Sequence, residues 1–176
     1  MSKEIKVEDR IAQKEMHKNF FDKCKFAIDY GFYFEAVLIE YAAIESRLEA
    51  IMGSIGLPCG KFLQNNYRKD IKISQRIDCL KSIRKKTAVF NETKLPNKFF
   101  DNLKEWTKER NSCVHGLYKD EFKYNDRLNK AQSLAECGYE FCRLLYNEEK
   151  RIRRKKKNGS FDNSDVFCAK KCDFLK

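Results

Sequence analysis

Between Phe34 and Ile55 the apolar residues Phe34, Val37, Leu38, Tyr41, Ile44, Leu48, Ile51, Met52 and Ile55 recur in short steps of about one helical turn. An α-helix gathers positions spaced in this way onto one side. A helix over 32–55 with such a stripe must bury it against other elements, and the rest of the chain supplies candidates. Residues 3–30 read as a first helix that stops at Gly31. "GLPCG" (56–60) breaks the second, and 61–72 read as a short helix or a loop. Ser74 is placed to cap a helix over 75–90. Phe99, Phe100, Leu103, Trp106 and Val114 mark a helix from 98 to 114, and Leu128 to Leu145 one over 124–153. The 176 residues contain only 7 glycines and 2 prolines, so little interrupts these helices. No segment alternates like a strand and no internal repeat is visible. The expectation is an all-α fold, an antiparallel bundle of four to five helices. The helices 3–30 and 32–55 form its hairpin. The bundle occupies residues 1–155, and 156–176 form a basic, flexible tail.

The formal net charge is +11, and residues 150–176, with ten Lys/Arg against three Asp, supply +7 of it. The run "KRIRRKKK" (150–157) has seven basic residues in eight. Lys150, Arg151, Arg153, Arg154, Lys155, Lys156 and Lys157 either contact a nucleic-acid backbone or form a solvated basic end. No stretch is apolar enough to span a bilayer, and no apolar face or lipid anchor accompanies the charge. The expectation is therefore a cytoplasmic chain with no membrane partner. Eight cysteines without a secretory leader read as reduced thiols, several of them on apolar stripes. Cys168 and Cys172 lie close together, but two histidines elsewhere complete no convincing zinc set. No metal or cofactor is called for.

The stretch "RNSCVHG" (110–116) carries Arg110 and His115. Arg110 lies seven residues after Leu103 and four after Trp106, on their apolar stripe. An unpaired guanidinium buried there is costly, so it must meet a carboxylate, a cleft or a partner. Asn111 and His115, four apart, share one face, where Asn111 can orient the imidazole or touch a ligand. Arg110 and His115, five apart, diverge by about 140° and about 7.5 Å. That is a poor self-contained pair. A two-fold dimer that brings two copies of this helix together would build a better cleft. There arginine would clamp a phosphate, and histidine would take a 2′-hydroxyl proton or protonate a leaving 5′-oxygen, without metal. The competing structural account pairs Arg110 with Glu45 or another acid and leaves His115 at the helix end.

"RNSCVH" resembles the signature of the HEPN superfamily, all-helical domains found in many prokaryotic toxins and defence ribonucleases. Arg110 and His115 match its two invariant positions, and Asn111 its favoured polar one. "YFEAVLIEYAAIESRLEAIM" is similar to the second helix of small bacterial HEPN proteins, and the likeness extends over residues 3–153. The resemblance implies a homodimer through the motif helix. It also implies metal-independent endoribonuclease activity with 2′,3′-cyclic phosphate products. The role would be in toxin–antitoxin or phage defence, with RNA as substrate and an antitoxin or other defence protein as partner. The alternative is an inactive binding module that dimerises or pairs with a nucleotidyltransferase or another protein.

Three further residues enter as supporting candidates. Glu45 lies seven residues from Leu38 and from Met52, and Tyr41 stands one turn before it. Glu45 either pre-sets Arg110 or forms a bundle salt bridge. Tyr118 can stack on a base or steady a phosphate. Trp106 reads as core or dimer seam, and His17 as a surface residue.

Overall fold

The computed structural model describes residues 7–57, 62–64, 67–69, 71–84, 88–90, 92–116 and 124–159. Five α-helices carry the fold: α1 (Val7–Asp29), α2 (Tyr33–Ser54), α3 (Ile73–Arg84), α4 (Phe99–His115) and α5 (Tyr124–Lys157). The described residues are all-α apart from one small antiparallel hairpin, β1 (Phe62–Gln64) with β2 (Tyr67–Lys69), and a 3-10 turn at Ala88–Phe90. The hairpin replaces the loop or short helix expected over 61–72. Its two strands are three residues each, too short to show a period.

Helix ends follow local chemistry. At the end of α1, Phe32 N–H donates to Ala27 O and Gly31 N–H to Ile28 O, with Gly31 at φ +78°. The same pair of bonds recurs at the end of α2, from Leu57 to Met52 and from Gly56 to Gly53, with Gly56 at φ +76°. Both are Schellman closures, which need a left-handed residue that glycine supplies without strain. Helix α3 starts at Ile73, not after a Ser74 cap. The Gln75 side chain reaches back to accept the Lys72 N–H at 2.9 Å, half of a capping box. The helix expected to continue to residue 90 is described as far as Arg84, and Ala88–Phe90 form a 3-10 turn instead of α-helix.

The bundle is not uniformly antiparallel. Cys142 Sγ donates to Glu40 O, Arg47 Nη1 to Glu149 Oε2 and Lys156 Nζ to Ser54 O, at a constant offset of 102 residues. Helices α2 and α5 therefore run parallel, meeting every seven residues as in a coiled-coil seam. Against this pair, α1 and α4 run the other way. Phe21 meets Tyr139 and Tyr146 edge-on, Trp106 Nε1 donates to Leu134 O at 2.8 Å, and Lys130 pairs with Glu109. Helix α3 lies along α4 through Lys104–Asp78 and Lys81–Asp101. The core lies between α2 and α5, around Ile44, Leu48, Ile51, Leu145 and Ile152, and extends to Ile77, Leu80, Phe99 and Leu103.

The buried face of α2 is Ala36, Val37, Glu40, Ile44, Leu48, Ile51 and Met52, whereas Leu38 is 46% exposed. The last helix continues four residues past 153, so Lys156 and Lys157 belong to α5 and not to a tail. Lysine and arginine are good helix formers, and Ile152, a heptad after Leu145, still buries fully beside α2.

Candidate functional site at the end of α4

Helix α4 buries Phe99, Phe100, Leu103, Trp106, Thr107 and Cys113, and its last turn carries Arg110, Asn111 and His115. Two bonds to α5 backbone seat it: Trp106 Nε1 to Leu134 O, and Cys113 Sγ to Arg127 O at 3.9 Å. The helix ends with Gly116 N–H donating to Ser112 O. His115 and Asn111 are exposed, whereas Arg110 is half-buried.

The Arg110 guanidinium lies over the Tyr41 ring of α2, Cζ 4.1 Å from the centroid. Its Nη1 donates to Asn111 Oδ1 at 2.9 Å, and its buried Nε has no acceptor. Among the described residues it forms no salt bridge with a carboxylate. Asn111 thus holds the arginine and not the imidazole of His115 that shares its face. An arginine on an aromatic face keeps its full charge and its donor fork while its plane is fixed.

Glu45 does not pair with Arg110. It sits one turn beyond Tyr41 and faces Arg76 of α3, whose Nη1 is 3.4 Å from Glu45 Oε1 and 3.7 Å from Glu49 Oε2. Arg76 is buried, and its Nε also lacks an acceptor. Tyr41 stands between the two arginines. Burial and Glu45 push its phenol pKa up, and Arg110 and Arg76 pull it back. Arg76 was missed in the sequence, although it falls among Ile73, Ile77, Leu80 and Ile83, where a charge is out of place.

Beside Tyr41, Glu40 is fully buried, and neither carboxyl oxygen has a partner. Burial pushes its pKa up to about 9, so it is a neutral acid at pH 7. Gly138 makes room for it: a Cβ there would overlap the carboxyl group and approach Trp106 Cζ2 to 2.7 Å. Burial, with Glu40 nearby, pushes the Cys24 thiol up to about 12. Glu40 packs against Gly138 and, among the described residues, forms no ion pair with Arg110.

The basic run divides in two. Arg151 chelates Glu148 and donates to Val89 O at 2.8 Å, and Arg153 pairs with Glu149 at 2.6 Å. Lys155 pairs with Glu92 and Lys156 donates to Ser54 O. Arg151, Lys155 and Lys156 stitch α5 to its neighbours, and Arg153 pairs within the helix. Lys150, Arg154 and Lys157 are exposed and have no partner among the described residues.

Tyr118, Cys168, Cys172 and the side chain of His17 lie outside the described residues. Among the described residues, no group of three His, Cys, Asp or Glu side chains is placed to hold a metal ion. No described helix is long and apolar enough to cross a membrane. Comparison with known proteins finds no matching family model, no matching curated protein and no matching solved structure.

Proposed function

We propose that the chain is a metal-independent endoribonuclease of HEPN type, with a toxin or antiviral-defence role, and that it acts as a homodimer through α4. The observation that carries this reading is Arg110: half-buried, fixed on Tyr41 by Asn111, and without a described carboxylate to neutralise it. Such a cation suits a phosphodiester whose negative charge grows in the transition state. In the reaction the substrate 2′-oxygen bonds to phosphorus and the bond from phosphorus to the 5′-oxygen breaks. One His115 takes the 2′-hydroxyl proton, and the His115 of a second copy protonates the leaving 5′-oxygen. The products are a 2′,3′-cyclic phosphate and a free 5′-hydroxyl. Arg110 holds the phosphate throughout. Two copies are needed because one helix separates Arg110 and His115 by about 140°.

The test is cleavage of end-labelled RNA in EDTA. Arg110→Ala and His115→Ala each abolish cutting while circular dichroism stays unchanged, and cutting that persists in both variants refutes the assignment. The second reading is a silent helical module that binds a partner such as a nucleotidyltransferase. It is favoured by Asn111 engaging Arg110 and not His115. Absence of cleavage by the unaltered protein would select it.

A further inference from the structure

Past Arg143, helix α5 forms one wall of an open cleft of about 630 Å³, and the connector at Lys94–Leu95 forms the other. Six cations line it, Lys94, Arg143, Lys150, Arg151, Arg154 and Lys155, against the single carboxylate of Glu148. Positions 143, 147, 150, 154 and 158 fall within an arc of about 80° on the helix, opposite Leu145 and Ile152. All five are exposed, and none is acidic. The stripe is therefore a straight row of Arg, Asn, Lys, Arg and Asn, stepping four, three, four and four residues.

The six cations are not equivalent. Arg143 is neutralised by Glu140, Arg151 by Glu148 and Lys155 by Glu92. Those three pairs build the walls. Lys94, Lys150 and Arg154 keep their charge unopposed among the described residues. At the back, Arg151 Nη1 is buried without an acceptor, although the same guanidinium is tied to Val89 O and Glu148. A row of free cations with interleaved amides suits a ligand whose negative charges recur along a line. A lipid surface would want an apolar rim, and only Leu95 and Leu144 among the lining residues are apolar, Leu95 being buried.

We infer that this cleft is a binding groove for the phosphodiester backbone of single-stranded nucleic acid, with Lys94, Lys150 and Arg154 as its phosphate contacts. It is separate from the Arg110 site. The Lys130–Glu109 pair sets the level of the motif on α5, and Lys150 lies twenty residues further on, about 30 Å along the helix. The groove grips the strand whether or not Arg110 cuts it, and backbone contacts of this kind carry no sequence preference.

The test is fluorescence anisotropy with the full chain and labelled 20-nucleotide single strands that cannot be cleaved, one 2′-O-methyl RNA and one DNA. The salt concentration is varied. The triple variant Lys94→Ala, Lys150→Ala, Arg154→Ala removes only exposed, unpaired charges. It should weaken binding at least about tenfold at 0.1 M salt and lower the log–log salt slope by about 2. Lys25→Ala with Lys72→Ala, on exposed positions elsewhere, should leave both the slope and the affinity at the parent's values, because neither lysine contacts a phosphate in the groove. Equal affinity and slope in the parent and the triple variant overturn the groove. So does a parent chain that binds neither strand, or one that binds phosphatidylserine vesicles or polyglutamate in preference to them. Arg110→Ala retains binding if the groove acts independently, so lost cleavage and a lost groove are read separately.

Discussion

Gly138 of α5 packs directly on the carboxyl group of Glu40 in α2, in a space that a single methyl group would fill. Glycine inside a long helix costs about 1 kcal/mol relative to alanine, so this position gives up intrinsic helix stability for close packing. Gly138→Ala should therefore destabilise the fold by about 1–3 kcal/mol despite its better propensity. Combining it with Glu40→Ala removes one of the two clashes, with Trp106 the other, and should recover part of the loss. Urea denaturation of the two single variants and the double variant measures the coupling, and strict additivity would contradict the packing described.

Glu40 also predicts a pH dependence. In the fold its pKa is pushed up to about 9, whereas in the unfolded chain it ionises at an ordinary carboxylate pKa. The unfolded state therefore loses its proton first. The stability Glu40 contributes is complete below about pH 4.5 and is lost as the pH rises to about 9, at a rate of up to about 1.4 kcal/mol per pH unit. Glu40→Gln is neutral throughout and should lack this decline. The informative quantity is the stability difference between the parent and Glu40→Gln across that window, and a flat difference contradicts a buried neutral acid.

The Tyr41 ring is the platform for Arg110. Tyr41→Phe keeps the π face and, in the proposed ribonuclease, should keep most RNA cleavage. Tyr41→Ala removes about 1 kcal/mol of cation–π attraction and should slow cleavage about fivefold. Arg110→Lys retains the charge but loses the planar fork held by Asn111, and should fall well below the Tyr41→Phe level. Single-turnover rates rank the three, and equal rates for Phe and Ala at position 41 would remove the platform role.

Glu149 is buried and joins Arg47 of α2 to Arg153 of its own helix. Glu149→Ala leaves the mostly buried Arg47 guanidinium without this acceptor and should cost about 3 kcal/mol. Glu140→Ala, which removes an exposed pair with Arg143, should cost less than about 1 kcal/mol. Thermal melts of the two variants provide the comparison, and similar midpoints would show that the inner pair does not staple α2 to α5.

Much of this architecture was legible in the residues, and the exceptions have physical causes. The helical stripes of α2 and α4 named most of the core, because apolar spacing records local geometry. Counting sevens from Leu38 to Met52 placed Glu45 inside and overlooked Glu40. The buried face of α2 is set by α5, a hundred residues away, and Val37, Ile44 and Leu48 already straddle position 40 at helical spacing. Arg110 meeting Tyr41 depends on how α4 crosses α2, which no local pattern encodes. The parallel α2–α5 pair was hidden for the same reason. The helical basic end was visible in principle: Ile152 follows Leu145 by seven residues, and no breaker intervenes before Gly159.

Parallel neighbours cannot be joined by a tight turn, so α2 and α5 are linked through everything between residues 55 and 123. The contacts that close the core therefore carry a large loop-closure entropy and raise the contact order well above that of an up-and-down bundle. During synthesis α2 and the Arg110 helix are both made before α5 exists to hold them. The charged end of α5, with Ile152 at its centre, is the last piece of this core to emerge. Assembly of the Arg110 platform is thereby tied to the synthesis of α5.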